Sequence, residues 1–268
     1  MRRRLSGTLA VLAIMMAPAM AQETVLLHAA GSLRAALTDV ATAFEAAGLG
    51  KVQAKFGASG LLKDEIANGA KAEVFASANM EHPQALGAAK RSGPVVLFAR
   101  NRLCALTRPG LAATPAALLD RMLDSSLKLG TSTPKADPSG DYAWEVFRKA
   151  EKLKPGAFAT LENKALQLTG GPSNPPAPQG RSVYGELIAQ GAADIFLTYC
   201  TNAFAAQREN PVQQIVQLPD ALAVGADYGL TVMNGASAAA YQFALFILST
   251  EGQRTLAKHG FAAPALPQ

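Results

Sequence analysis

The chain is poor in the residues that build metal centres and hydrolytic sites. It has three histidines and two cysteines in 268 residues, and His28, His82, His259, Cys104 and Cys200 stand at no zinc-ligand spacing. No resident metal or other cofactor is expected. The scarcity of histidine also works against a serine hydrolase, because none of the three sits in a recognisable triad setting. SSLK at Ser125–Lys128 matches S-x-x-K, but its companions S-D-N and K-T-G are missing, and GASGL does not form a G-x-S-x-G elbow. The chain is expected not to be an enzyme.

Charge is sparse as well, at 17% of residues. With no cluster of Lys and Arg beyond the first few positions, the chain lacks a nucleic-acid footprint. No later apolar run is long enough to cross a membrane, and neither a heptad pattern nor an internal repeat is visible.

At the start of the chain, MRRRLSGTLAVLAIMMAPAMA joins a basic start to a short apolar stretch and a small-residue end. This reads as a signal peptide over residues 1–21, so the rest is expected in the periplasm. The three adjacent arginines weakly resemble a twin-arginine signal, and the choice of exporter stays open. Loss of Arg2, Arg3 and Arg4 takes the formal charge from +5 to +2. In an oxidising compartment an even pair of cysteines implies one disulfide, Cys104 to Cys200; two buried free thiols are the alternative.

Short apolar runs then alternate with helical stretches. TVLLHAA, VQAKFGA and AEVFASA read as strands, with the helices SLRAALTDVATAFEAAG and SGLLKDEIANGA between them, the βαβ pattern of a mostly parallel sheet. GPVVLFARNRLCALTR reads as an extended segment passing between two domains rather than a single strand. A second series follows through LKLGTS, DPSGDYAWEVFRKAEKL, RSVYGELIAQG and ADIFLTYC, interrupted by the surface loop LTGGPSNPPAPQG. LAVGADYGLTVM reads as a last strand, followed by a helix pair. Two α/β units with more than one crossing make a ligand cleft between them the expected site.

Four turns of one kind sit where these helices begin: AGS at Ser32, GAS at Ser59, DPSG at Ser139 and QGRS at Arg181 and Ser182. Each would leave free amides and the positive end of a helix dipole facing outward, which suits a small anion. An ordinary N-cap is the alternative for each serine. Tyr199, at a strand end, offers a hydroxyl to the same crevice or is a half-buried strand aromatic. Arg181 pairs with an anion or is a solvated surface charge. Tyr142 and Trp144 read as packing residues.

AAGSLRAAL, FGASGLLKDEIANGAKAEVFASAN, DPSGDYAWEVF, GAADIFLTYCTNA and FALFILSTEGQRTLAKHGF, spread from about Val25 to Phe261, closely resemble the periplasmic molybdate-binding proteins of ABC importers. The resemblance implies an α/β, type II periplasmic-binding-protein-like fold with two lobes, each a mixed sheet flanked by helices, and the ligand cleft between them. Residues 22–98 plus 217–268 would form lobe 1, and residues 99–216 lobe 2. It also implies capture of molybdate or tungstate, with delivery to an ABC permease by a chain expected to act as a monomer. The ligand would be held by the hydroxyls of Ser32 and Ser59, the amide at Ser139, an amide near Arg181 and the hydroxyl of Tyr199. Such a site of donors alone would reject phosphate, whose proton would find no acceptor.

Three departures stand out: PSG where relatives commonly carry PAG, Arg181 where an apolar residue is usual, and the strand end YCTNA. They keep open the alternative of another small anion in the same fold, such as sulfate, phosphate, a phosphonate or an organic anion.

Overall fold

The computed structural model describes residues 23–175 and 180–264. The signal peptide expected over residues 1–21, and residues 176–179 of the Pro-rich loop, lie outside the described residues. In β1 (Thr24–Ala30) every side chain from Leu27 onward is buried, as in a strand covered on both faces. A 3-10 turn over Gly31–Leu33 leads into α1 (Arg34–Ala46). Its buried Ala36, Leu37, Val40, Ala41 and Phe44 form one apolar stripe, the pattern of a helix lying against a sheet. β2 (Lys51–Gly57), α2 (Ser59–Ala67), β3 (Val74–Ser77) and α3 (Glu81–Ala88) complete the first α/β series.

β4 (Val96–Thr107) is the long β-rich stretch, and it is one continuous strand rather than a linker. After it come α4 (Leu118–Leu123), β5 (Leu129–Ser132), α5 (Pro138–Leu153), α6 (Ala157–Lys164), β6 (Ala165–Thr169), α7 (Val183–Ala189), β7 (Ile195–Tyr199), α8 (Cys200–Glu209) and β8 (Gln214–Gln217). The chain closes with β9 (Gly225–Val232), α9 (Ala238–Leu248) and α10 (Thr250–Lys258).

Among the described residues the strands run β2-β1-β3-β9-β4-β7-β5-β6, with β8 against β4. The sheet is mixed, not mostly parallel as the βαβ alternation suggested. β1 pairs in parallel with β2 and β3, and β5 with β6 and β7, whereas β4 and β9 make only antiparallel pairings. The long strand explains the difference. β4 lies antiparallel to β9 up to Arg102, then antiparallel to β7 and β8 from Leu103 onward. One strand therefore belongs to both half-sheets, and the chain returns to the first between β8 and β9.

One apolar core runs through both halves, from Val25, Leu27 and Phe44 to Leu129, Phe147 and Ile195. Phe44 of α1 meets Phe243 and Phe246 of α9 with ring centroids 5.1 and 5.6 Å apart. The fully buried Phe44 and Phe243 contribute about 1.5–3 kcal/mol each. On the far side of the second half-sheet, Phe196, Ile188, Ala203 and Ala206 pack around Cys104 and Cys200, which are joined in a disulfide with Cα atoms 4.9 Å apart. Trp144 packs on Phe147, and its indole N–H donates to Glu162.

Candidate functional site

A cavity of about 800 Å³ opens between the two half-sheets, and the residues capping five helical starts line it. They are Ala30 before the 3-10 turn leading to α1, Ala58 before α2, Asp137 before α5, Ser182 before α7 and Tyr199 before α8. Each α-helix presents a partial positive charge and amides without helical partners at its amino end. At Ala30, Ala58 and Tyr199 no side chain caps the turn. At α5 and α7 the protein supplies the acceptor: Asp137 takes the Ser139 amide at 3.1 Å and the Ser182 hydroxyl takes that of Gly185. Outside α7, both Glu209 oxygens accept the Ser182 amide, at 3.0 and 2.9 Å.

The expected site residues divide into two groups. Ser32, Arg181 and Tyr199 line the cavity. Ser32 shares a hydrogen bond of 3.0 Å with the Tyr228 hydroxyl, and Tyr199 donates to the Ala78 carbonyl at 3.5 Å. Arg181 has a 68% exposed side chain, and its guanidinium pairs with Glu186 at 2.8 Å. Ser59 and Ser139 are packed behind the wall at 1% and 0% exposure. Ser59 opens α2, and its hydroxyl accepts the Ala78 amide at 3.1 Å. The Ser139 hydroxyl has no hydrogen-bond partner among the described residues. Ser32 and Ser59 do not cap their helices; Ser182 does. Tyr142 packs against Tyr199 with ring centroids 6.2 Å apart.

Sequence reasoning missed a polar network on the cavity floor. Asn101 of β4 donates to the Tyr228 hydroxyl at 3.3 Å and to Thr201 Oγ1 at 2.8 Å, so the shared strand is tied to β9 and to the start of α8. Burial keeps the Tyr199 and Tyr228 hydroxyls protonated by pushing both well above the usual tyrosine range. They remain donors at any physiological pH.

Asp137 was missed too, although an Asp-Pro pair ahead of a helix is a start signal with its own physics: a carboxylate cap, then a proline at the first helical position. Burial is the main influence on its carboxyl and pushes it up to about 6, against the opposing hydrogen bonds from the Ser139 amide and the Ser132 hydroxyl. The turn after β6 closes over it. Gly170 has φ +76°, and a Cβ there would stand 2.5 Å from that of Asp137, so only glycine lets this wall form. The cavity is therefore not a set of donors alone.

Residues 25–262 match a sequence family described as bacterial extracellular solute-binding protein. An uncharacterized protein of Pasteurella multocida (strain Pm70) is 36% identical over 234 residues, covering 87% of this chain and 96% of that protein. Among solved structures, the sulfate-binding protein SubI from Mycobacterium tuberculosis H37Rv is similar at TM-score 0.71 and 20% identity, over 90% of this chain and 87% of that one. The periplasmic molybdate-binding protein of Azotobacter vinelandii gives TM-score 0.69 at 19% identity, over 91% of this chain and 100% of that one. Identities this low speak for the fold, which is that of the type II periplasmic binding proteins. No described helix is long and apolar enough to cross a membrane.

Proposed function

The chain belongs to the bacterial extracellular solute-binding proteins, and from that premise we propose that it captures a small oxyanion between its half-sheets and hands it to an ABC importer. The observation that carries this reading is the convergence of five capping residues on one cavity. Amides and helix starts that open on one cavity hold an anion without a full opposite charge beside it. The role is capture rather than catalysis, in the periplasm, with residues 22–98 and 217–268 as one lobe and 99–216 as the other.

Within this class the narrower ligand is molybdate or tungstate, carried by the motif resemblance. Its contacts would be Ser32, Ser59, the Ser139 amide, the amide near Arg181, and Tyr199. A second reading, another small anion, is favoured by two observations. A cavity of about 800 Å³ has room for much more than one tetrahedral ion, since a water takes about 30 Å³ in the liquid. In addition, the Ser139 and Ser182 amides already serve Asp137 and Glu209.

Thermal unfolding with molybdate, tungstate, sulfate and phosphate in parallel tests the class. A ligand at about 100 times its Kd stabilises by about 2.7 kcal/mol, which raises the midpoint of a chain this size by about 5–10 °C. A shift with molybdate and tungstate alone supports the narrower ligand, and a shift with another anion supports the second reading. If none of a broad set of anions moves the midpoint at any pH, capture of an oxyanion is wrong.

A further inference from the structure

Asp137 is one of three described carboxylates that line the cavity, with Asp39 and Glu209, and the only one of them that caps a helix opening on it. It stands on the cavity wall and caps α5. The Gly60 amide of α2 donates to the Ala136 carbonyl at 2.9 Å, which sets the start of α2, with no side-chain cap, beside the residue that precedes Asp137. An anion drawn to that start comes to rest beside a carboxyl group. Two like charges brought into contact each disfavour the other's ionised form, so the pair binds best when it shares a proton.

No described cation neutralises Asp137 instead, since none of the ion pairs involves it. Its own helix brings Asp141, and α7 brings the Tyr184 hydroxyl. Tyr199 faces it from the start of α8. Around the rest of the cavity stand Arg34, Asp39, Arg181, Arg208, Glu209 and His259, with His259 paired to Asp39 at 2.7 Å. Arg34 is stacked on Phe56, Arg181 is paired with Glu186, and Glu209 is held by the Ser182 amide. The two hydrogen bonds that reach the Asp137 carboxylate, from the Ser139 amide and the Ser132 hydroxyl, leave part of its acceptor capacity free.

From this geometry we infer that Asp137 is a specificity-determining acceptor that selects a proton-bearing phosphorus oxyanion over fully ionised sulfate, molybdate or tungstate. The ligand's O–H donates to the carboxylate while its remaining oxygens take the helix-start amides and the Tyr199 hydroxyl. Inorganic phosphate and organic phosphonates share this chemistry near neutral pH, and phosphate monoesters, whose second pKa is about 6, share it at the lower pH. The inference rests on the anion-capture reading in its second form, another small anion, and stands against molybdate or tungstate as the ligand.

Calorimetric titration of the purified protein and of Asp137→Asn tests it, with inorganic phosphate, methylphosphonate, glycerol phosphate, sulfate and molybdate at pH 5.5 and 7.5, in two buffers of different ionisation heat. Asparagine still caps a helix, so the variant should fold, and its amide imitates a carboxyl that always carries its proton. At pH 7.5 the wild type should bind at least one of the three phosphorus anions ten times more tightly than sulfate or molybdate, and which of them is tightest separates the inorganic from the organic source. Sulfate or molybdate should bind the wild type with uptake of one proton, weakening about tenfold per pH unit above about 6. Asp137→Asn should remove that pH dependence and bring the preference within threefold of unity or reverse it.

A wild type that prefers molybdate or sulfate at pH 7.5 without proton uptake overturns the inference, as does an unchanged preference in a variant that still folds and binds. Those outcomes leave anion capture intact. Silence of every anion with both proteins overturns anion capture itself, and the inference with it. Should the variant fail to fold, the wild-type proton count and preference decide alone.

Discussion

Tyr228 gathers the polar contacts of the cavity floor onto one hydroxyl. Ser32, Asn101 and Tyr199 all reach it, and its ring packs edge-on against Phe98 and Phe261. Tyr228→Phe keeps the ring and removes the hub, so the buried Asn101 and Tyr199 lose a partner. The expected cost is about 1–3 kcal/mol, the usual penalty for orphaned buried polar groups, read from the denaturation midpoint. Ligand affinity should fall with it, because Ser32 and Thr201 line the cavity and are oriented through this network. A stability change under 0.5 kcal/mol would mean that the hydroxyls rearrange without it. Sequence could not announce this residue. In GADYGLTV it looks like any strand aromatic, and its role comes from β4 and β9 lying side by side, a pairing that joins positions more than a hundred residues apart. Ser32 and Tyr199 were legible because a helix start and a strand end are local features.

At the scale of elements, α2 of the first half meets the segment before α5 of the second. The Gly60 amide reaches the Ala136 carbonyl, and a Cβ on Gly60 would stand 2.4 Å from the Lys135 carbonyl oxygen and 2.7 Å from that of Ala136. Both obstacles are backbone and cannot swing aside. Gly60→Ala should therefore part the two elements, cost about 1–3 kcal/mol of stability as overpacking does, and weaken ligand capture at that corner. Unchanged melting and affinity would show that the contact is not needed.

The sequence pattern marked α2 and α5 as helices, since the turns GAS and DPSG stand ahead of them, although it passed over Asp137 as the cap of α5. It did not mark β6, whose ALQLT follows directly on the helical LENK and has no turn residue to separate strand from helix. It also took β4 for a connector, because a strand shared by two half-sheets looks the same locally as a linker.

For the whole molecule, the disulfide makes a claim about where stability resides. Cys104 lies on β4 just past the crossing, and Cys200 opens α8 directly after Tyr199. The link therefore lies inside the second half-sheet rather than between the halves, so it should not hinder their relative movement. It closes a long loop, with a sequence separation of 96, and cross-links of that span restrict the unfolded chain strongly. Replacing both cysteines by alanine should lower the unfolding free energy by about 2–4 kcal/mol, measured by denaturant titration of the oxidised wild type against the variant. Affinity should fall as well, by a few-fold, because the freed start of α8 carries Tyr199 at the cavity wall. If stability drops while affinity holds, the start of α8 is positioned by packing against Phe196 and Ala203 alone. An unchanged midpoint would mean that the unfolded chain is already confined without the link.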